Sequence, residues 1–135
     1  MSDLDGRVVE EFRANAGRVG GLLRDTPLLL LHHVGARSGI ERVTPLAWTL
    51  LPDGIAVVAS NAGSPTHPAW YHNLKAQPRV LVELGGETFA ADAVELDGSA
   101  RDDVWLELVA AAPAVGRYQA GTVRRIPVLL LKRVP

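Results

Sequence analysis

The residues best suited to bind a charged ligand lie in a short glycine-flanked segment, Gly35-Ala36-Arg37-Ser38-Gly39, followed by Arg42. The glycines permit close approach of the backbone, the Ser38 hydroxyl can donate a hydrogen bond, and the guanidinium groups of Arg37 and Arg42 match a phosphate. The segment is neither a Walker loop nor the Gly-x-Gly-x-x-Gly fingerprint. The pattern predicts a phosphate-binding turn, although a polar hairpin turn with exposed arginines would have the same composition.

A second segment, residues 59–74, combines small polar residues with two prolines and with aromatic residues, which are scarce in this chain. It leaves the end of a predicted strand, and Pro65 and Pro68 stiffen it. Such a loop can offer backbone donors to a ring edge or a phosphate, and binding residues concentrate on loops of this kind. Trp70 and Leu74 would share a face of the helix predicted to follow, which is equally typical of core packing.

Other kinds of catalytic site are poorly supported. His32 and His33 are adjacent on a predicted strand and therefore point to opposite faces. His67 and His72 are five residues apart, off the spacing that stacks two ligands on a helix, so no metal site is predicted. Ser60 lacks the Gly-x-Ser-x-Gly elbow of hydrolases, and no serine hydrolase is predicted.

The composition is ordinary for a globular protein of 135 residues, with 47% hydrophobic and 21% charged residues. A formal net charge of −1 argues against a nucleic-acid partner. The absence of cysteine fits a reducing cytoplasm. No signal peptide is visible, and the apolar runs are too short for stable membrane insertion. We expect one domain over residues 1–135, with an N-terminal helix and linker over 1–21 and a barrel over 27–135.

Periodicity and turn signals predict six short strands and three helices. Pro52-Asp53-Gly54 and Gly85-Gly86 are hairpin signals, and Leu46, Trp48 and Leu50 are predicted to share one face of the second strand. Ser2 is expected to cap the first helix, and the chain after Pro113 is predicted to be irregular until the last strand. The predicted strands cover residues 28–34, 42–51, 55–60, 79–84, 87–94 and 126–133; the helices cover 2–15, 68–76 and a segment from 99 to about 112.

This order favours an α+β, mainly β fold in which an antiparallel sheet closes into a barrel. Four stretches then resemble the deazaflavin (coenzyme F-420)-dependent nitroreductase family, within the split β-barrel flavin-binding superfamily. The four stretches are Gly35–Gly39 with Arg42 and Thr44-Pro45-Leu46; Ala59-Ser60-Asn61; His67-Pro68-Ala69-Trp70-Tyr71-His72-Asn73-Leu74; and Tyr118-Gln119 with Arg125-Ile126-Pro127-Val128. The third of them, residues 67–74, is the most specific.

The resemblance implies an FMN-binding-like split β-barrel of about six antiparallel strands with flanking helices. It also implies hydride transfer from reduced deazaflavin to a small quinone, nitroaromatic or unsaturated acceptor. Ser60 and Tyr118 fall where the family places groups near the substrate. The coenzyme-binding residues implied are Arg37, Ser38 and Arg42 for the phosphate and tail; Thr44, Pro45, Leu46, Ala59, Ser60, Asn61 and Gly63 for the ring; and Pro68, Ala69 and Trp70 for the rest of the groove.

Two positions depart from the family pattern. Ala36 stands where the family usually has a basic residue, and Ala62 where it often has a glycine. FMN would present a phosphate to the same arginines, so an FMN-binding oxidoreductase is an alternative. A non-catalytic carrier of an apolar ligand in the same groove is another. A homodimer whose protomers share the groove is compatible with the resemblance.

Overall fold

The computed structural model describes residues 3–20, 27–52 and 54–135, and in these ranges one seven-stranded antiparallel sheet is accompanied by four α-helices. The strands are β1 (Leu28–Val34), β2 (Glu41–Ala47), β3 (Thr49–Leu51), β4 (Gly54–Val58), β5 (Arg79–Leu84), β6 (Glu87–Leu96) and β7 (Val128–Arg133). The helices are α1 (Asp3–Ala14), α2 (Ala69–Ala76), α3 (Gly98–Ala111) and α4 (Pro113–Ala120), and a 3-10 turn covers Asn61–Gly63.

The sheet is curled into a barrel, as its strand order requires. The order is β2-β1-β5-β6-β7-β4-β3, so β2 and β3 form opposite edges. These two edge strands are consecutive in the chain and are separated only by Trp48. A single residue cannot cross an open sheet of seven strands, since neighbouring strands lie about 4.8 Å apart. The two edges therefore meet at Trp48, and the predicted antiparallel split barrel is confirmed.

The prediction of one continuous strand over residues 42–51 is wrong, because the chain changes sheet edge at Trp48. The Trp48 N–H donates to the carbonyl of Pro27 at 3.3 Å instead of continuing the ladder. Leu46 and Trp48 pack against the main core, but Leu50 is 71% exposed and Leu51 is buried. The break inverts the alternation beyond it, so Leu50 does not share the face predicted for it.

The main core fills the barrel interior and is covered by α2. Leu29 and Leu31 of β1 point into this core, where Trp70 and Leu74 of α2 pack against them. Leu28 and Leu30 point the other way and pack against α1, where Phe12 is buried. Burial of both faces explains why β1 is almost continuously apolar. It also places α2 directly beside the strand that leads into the basic turn.

The helices otherwise lie close to their predicted positions, with one addition. Cap residue Ser2, predicted for α1, lies outside the described residues. Leu108 of α3 packs fully buried against β4 and β7. The prediction of an irregular chain after Pro113 is wrong, because Pro113 begins α4 rather than ending a helix. Proline is favoured in the first helical turn, where its missing N–H has no partner to lose.

Both predicted turn signals, Gly85-Gly86 and Pro52-Asp53-Gly54, fall between paired strands. Gly85-Gly86 joins β5 to β6, with Leu84 opposite Glu87, and this hairpin is confirmed. β3 and β4 pair with Leu51 opposite Gly54, which has a φ of 146°. Asp53 of that turn lies outside the described residues.

Candidate coenzyme site

The basic turn closes the β1–β2 hairpin and has a defined backbone shape. The Gly35 N–H donates to the carbonyl of Ile40 at 2.9 Å, and the Gly39 N–H donates to the carbonyl of Gly35 at 2.9 Å. Gly39 has a φ of 70°, a conformation that glycine adopts without steric cost. The side chain of Ser38 accepts from the Ile40 N–H at 3.2 Å. The hairpin thus presents Arg37 and Ser38 at its exposed tip.

An open cavity of about 460 Å³ lies between this turn and α2. Its size is within the range of small-molecule sites. In the described part of the chain, the backbone N–H groups of Arg37 and Ser38 have no hydrogen-bond partner, so they can donate to a ligand. Two guanidinium groups, a hydroxyl and free amides form a donor set that fits a phosphate ester. The lining residues are Gly35, Ala36, Arg37, Ser38, Arg42, Ala69, His72 and Asn73.

A buried chain of hydrogen bonds fastens the turn to α2 and β2. The side-chain carbonyl of Asn73 accepts from the Ala36 N–H at 2.8 Å, and its amide nitrogen lies 2.9 Å from Nδ1 of His33. Nε2 of His33 lies 2.8 Å from the hydroxyl oxygen of Thr44. Burial lowers the pKa of His33, and the charges of Arg42 and His32 lower it further. His33 is therefore neutral at pH 7.

The loop after β4 is organised by Arg124, a residue that sequence reasoning did not single out. Its guanidinium donates to the carbonyl oxygens of Ser60 at 2.7 Å, Ser64 at 2.8 Å and Ala59 at 3.2 Å. It also donates to Nδ1 of His67 at 2.9 Å. One half-buried cation thus satisfies acceptors at both ends of the loop. Arg124 therefore joins the two ends of the loop through direct hydrogen bonds.

α4 packs against this loop at Gly63 and brings Tyr118 to it. A Cβ atom at Gly63 would lie 3.1 Å from the Tyr118 carbonyl oxygen, and Gly63 has a φ of 79°. Only glycine fits both the conformation and the space there. Gln119, the next residue of α4, accepts from the Ile126 N–H at 2.9 Å and donates to the Arg124 carbonyl at 2.8 Å. The same helix therefore supports Arg124 and borders the loop that contains Ser60.

Two residues of the 3-10 turn adopt the left-handed conformation without being glycine. Asn61 has a φ of 47° and Ala62 a φ of 54°. The side-chain amide of Asn61 donates to the Thr66 carbonyl at 3.1 Å, which compensates part of its cost. Ala62 has no side-chain group to do so. The departure at Ala62 therefore places alanine where the backbone conformation favours glycine.

A cluster of aromatic and histidine rings connects the loop to the cavity. The ring centroids of His67 and Tyr71 are 4.7 Å apart, and those of His67 and His72 are 5.8 Å apart. The Tyr71 hydroxyl donates to Glu95 at 2.7 Å, and burial and this hydrogen bond raise the pKa of Tyr71 to about 12. Burial and the nearby Arg124 lower the pKa of His67. His72, which lines the cavity, ends the cluster.

The structure divides the predicted site residues into groups. Arg37, Ser38, Arg42 and Ala69 line the cavity, and Thr44 is joined to it through His33. The side chains of Ala59 and Trp70, which the resemblance implies as coenzyme-binding residues, are buried in the main core. Their contact with the coenzyme stays a prediction. The other predicted residues lie in two places. Four of them surround the 3-10 turn: Ser60, Asn61, Gly63 and Tyr118. Pro45 and Leu46 in β2 and Pro68 at the start of α2 are half-buried.

Sequence reasoning missed Asn73, His33 and Arg124 as parts of the site. His32, His33 and His67 are hydrogen-bonded. Nothing in the local pattern marked Arg124. Among the residues described, no cluster of three or more His, Cys, Asp or Glu side chains could hold a metal ion.

The fold is a split barrel, and its basic turn and α2 border an open cavity lined by two arginines and a serine. The profile of the family described as F420H(2)-dependent quinone reductase matches residues 6–133 of this chain. The chain belongs to that family. It is an oxidoreductase, and its coenzyme is reduced F420, which confirms the deazaflavin-dependent class predicted from the sequence. Reduction of a nitro group stays a prediction.

Relatives support the same assignment. The chain is 36% identical over 126 residues to an F420H(2)-dependent quinone reductase of Mycobacterium tuberculosis, covering 90% of this chain and 85% of the relative. A solved F420-H2 dependent reductase (FDR-A) is 39% identical, with a TM-score of 0.70, and covers 78% of this chain and 94% of that chain. A structure described as a domain-swapped dimer is 37% identical, with a TM-score of 0.73 and coverage of 94% and 93%.

Proposed function

We propose that this chain reduces a quinone with reduced F420 bound between the basic turn and the loop after β4. The observation that carries the proposal is the cavity beside the basic turn. Arg37 and Arg42 line this cavity, and Asn73 anchors the turn by accepting a hydrogen bond from the Ala36 N–H. These two side chains, with the hydroxyl of Ser38 and the amides of the turn, hold the phosphate and the acidic tail. When bound there, the coenzyme supplies a hydride, and the protein supplies position and exclusion of water.

The ring of the coenzyme would be held in a groove with Thr44, Pro45 and Leu46 of β2 as one wall and Ser60, Asn61 and Gly63 of the loop after β4 as the other. Pro68 and Ala69, at the start of α2, would complete this groove. Ala59 and Trp70 belong to the same groove, and their buried side chains fix the backbone on which it is built.

The acceptor lies on the loop side of the groove, near Ser60 and Tyr118. A quinone that receives a hydride also gains negative charge on an oxygen, which a hydroxyl donor stabilises before a proton arrives. Tyr118 is 37% exposed, so its hydroxyl is accessible to a small molecule. These two hydroxyl groups are the catalytic candidates. Tyr118→Phe is expected to lower kcat with a quinone and leave coenzyme binding intact, whereas Ser60→Ala is expected to affect both, because Ser60 also belongs to the wall that holds the ring.

The test of the coenzyme site is a fluorescence titration with oxidised F420 and, separately, with FMN. Arg37→Ala and Arg42→Ala are each expected to weaken F420 binding by roughly 10- to 150-fold, since a hydrogen bond from a charged donor contributes roughly 1.5–3 kcal/mol. Arg79→Ala is the matched control, because Arg79 is exposed and pairs with Asp92 on a different part of the sheet. Equal affinity of all variants would overturn the proposed site, and preference for FMN would overturn the choice of coenzyme.

The acceptor class is tested by steady-state kinetics with F420H2. A benzoquinone and a nitrobenzene of similar reduction potential are compared at equal concentrations. A higher kcat/KM for the quinone supports the proposal. Reduction of the nitro compound alone would show that the acceptor class is wrong.

We also propose that the protein is a cytoplasmic homodimer with residues 1–135 acting as one domain. The relative described as a domain-swapped dimer supports the dimer. Within the described residues, no helix is long and apolar enough to cross a membrane. Sedimentation equilibrium at micromolar concentration tests the assembly, and a monomeric mass would contradict it.

A further inference from the structure

We propose that Asn73 and His33 are positioning residues that hold the basic turn in the shape that binds the coenzyme phosphate. The inference rests on the proposed function, because it assigns the turn its ligand. Neither residue was among the coenzyme contacts implied by the resemblance. The geometry that supports the assignment is a continuous hydrogen-bonded path from the Ala36 amide, through both side chains, to the hydroxyl of Thr44.

The path connects every element that forms the cavity. Asn73 lies on α2, His33 on β1, Thr44 on β2, and Ala36 in the turn between the two strands. His33 is 3% exposed and Asn73 is 6% exposed, so neither side chain can exchange its partners freely with water. Asn73 also lines the cavity itself. A movement of α2 relative to the hairpin would therefore be transmitted to the turn.

The donors and acceptors along the path can be assigned in only one way. The Ala36 N–H is a donor, so the atom of Asn73 that it contacts is the side-chain carbonyl oxygen. The remaining amide group of Asn73 must then donate to Nδ1 of His33. Neutral imidazole carries its single proton on the other nitrogen, so Nε2–H of His33 donates to Thr44. The hydroxyl hydrogen of Thr44 is left free to point toward a ligand.

This arrangement determines which backbone amides face the ligand. The Ala36 N–H is occupied by Asn73, and the next two amides, of Arg37 and Ser38, remain as donors. Successive amides of a turn can converge on one anion only while the backbone conformation is fixed. Asn73 fixes the first peptide of the turn, and the Gly35–Ile40 hydrogen bond fixes its base.

The charged groups around His33 make protonation unfavourable. Arg42 faces it from β2 and His32 lies next to it on β1, while α2 contributes the uncharged Asn73. A proton on Nδ1 would also meet the amide hydrogens of Asn73. Acidification is therefore expected to disrupt the path and loosen the turn.

Two variants of Asn73 separate positioning from simple packing. Asn73→Leu keeps the branched shape of the side chain and removes both hydrogen bonds, and it is expected to weaken F420 binding by about 10-fold at pH 8. Asn73→Asp still accepts from the Ala36 N–H, and it can accept from His33 in the other neutral tautomer, with the proton on Nδ1 and the Thr44 hydroxyl donating to Nε2. The wild-type protein should bind F420 more weakly as the pH falls, whereas Asn73→Asp should lose less affinity on acidification, because its carboxylate also accepts from a protonated His33. His32→Asn is the matched control and is expected to bind as the wild type does.

The free protein provides a readout that does not depend on the coenzyme. Nitrogen-15 NMR of the histidine rings is expected to show His33 as the Nε2–H tautomer, and the Ala36 amide proton should exchange slowly in the wild type and quickly in Asn73→Leu. A proton on Nδ1, or unchanged Ala36 exchange in Asn73→Leu, would overturn the inference. So would unchanged F420 affinity in that variant. If the wild type binds no F420, the proposed function fails, and the Ala36 exchange still decides whether Asn73 holds the turn.

Discussion

Replacement of Arg124 is expected to disrupt the loop after β4 more than any other single change at an arginine in this region. Arg124 donates to three backbone carbonyls and to His67, at distances of 2.7 to 3.2 Å. A hydrogen bond from a charged donor contributes roughly 1.5–3 kcal/mol when it is measured alone. The four bonds share one half-buried guanidinium that water partly reaches, so their contributions do not add. We expect Arg124→Ala to lower the free energy of unfolding by roughly 3 kcal/mol.

The measurement is urea-induced unfolding followed by tryptophan fluorescence, with F420 titration of the same preparations. For a chain of this size, roughly 3 kcal/mol corresponds to a decrease in Tm of about 10 °C. Arg124→Lys keeps the charge without the planar fork, so it should fall between alanine and the wild type. F420 affinity should decrease in the same order, because the loop forms one wall of the proposed groove.

The neighbouring residue offers a matched control. Arg125 is exposed, and its side chain pairs with the exposed carboxylate of Asp102. An exposed ion pair contributes about 0–1 kcal/mol. The reasoning is refuted if Arg124→Ala and Arg125→Ala destabilise the protein equally, or if Arg124→Lys unfolds at the same urea concentration as the wild type.

Four further predictions follow from the described contacts. Ala62→Gly should stabilise the protein by about 0.5 kcal/mol. Glycine relieves the left-handed conformation, which costs alanine about 1–2 kcal/mol, and this gain exceeds the cost of ordering a more flexible unfolded chain, about 0.4–1 kcal/mol. A lower urea midpoint would contradict this prediction. Gly63→Ala, the matched change in the same turn, should destabilise the protein by about 1–3 kcal/mol. Residue 63 has a φ of 79°, and the new Cβ would lie 3.1 Å from the Tyr118 carbonyl oxygen. An unchanged urea midpoint would contradict this close contact. Burial lowers the pKa values of His33 and His67, so the unfolded chain takes up protons before the native protein does. The stability that is present above about pH 6.5 should therefore decrease as the pH falls below that value. Urea unfolding at pH values on both sides of it tests this prediction, and a flat profile would contradict it. Tyr71→Phe removes the hydrogen bond to Glu95 and should cost about 1 kcal/mol, measured against Tyr118→Phe as a control on an exposed hydroxyl; equal effects would show that this bond is not stabilising.

The parts of the fold that were predicted correctly have local signals. β1 was placed at its observed ends because an apolar run stops at a glycine, and β5 and β6 because Gly85-Gly86 separates two strand-like runs. The break at Trp48 has no such signal, since the alternation of apolar residues continues through it. It is caused by the meeting of two sheet edges, which is a property of the closed barrel rather than of nearby residues. The same holds for Pro113, which is compatible with both the end and the start of a helix.

The candidate site divides in the same way. Arg37, Ser38 and Arg42 were predicted because a glycine-flanked basic turn carries its chemistry in one short segment. Arg124 was missed because its acceptors lie 57 to 65 residues earlier in the chain. Asn73 was missed as an anchor because its partner His33 is 40 residues away and the Ala36 amide is 37 residues away. Contacts at these separations depend on the curl of the sheet, which composition and spacing do not determine.

The basic turn and the loop after β4, which border the proposed coenzyme site, are held by separate anchors. Asn73, on α2, fixes the basic turn, and Arg124, beyond α4, fixes the loop that contains Ser60. The two anchors share no hydrogen-bond partner among the described residues, so the stability costs of Asn73→Leu and Arg124→Ala should be nearly additive. The two departures from the family pattern lie one in each of these segments, at Ala36 in the basic turn and at Ala62 in the loop after β4. Because each segment is anchored by a residue outside it, a substitution within one segment can alter coenzyme affinity without displacing the other segment.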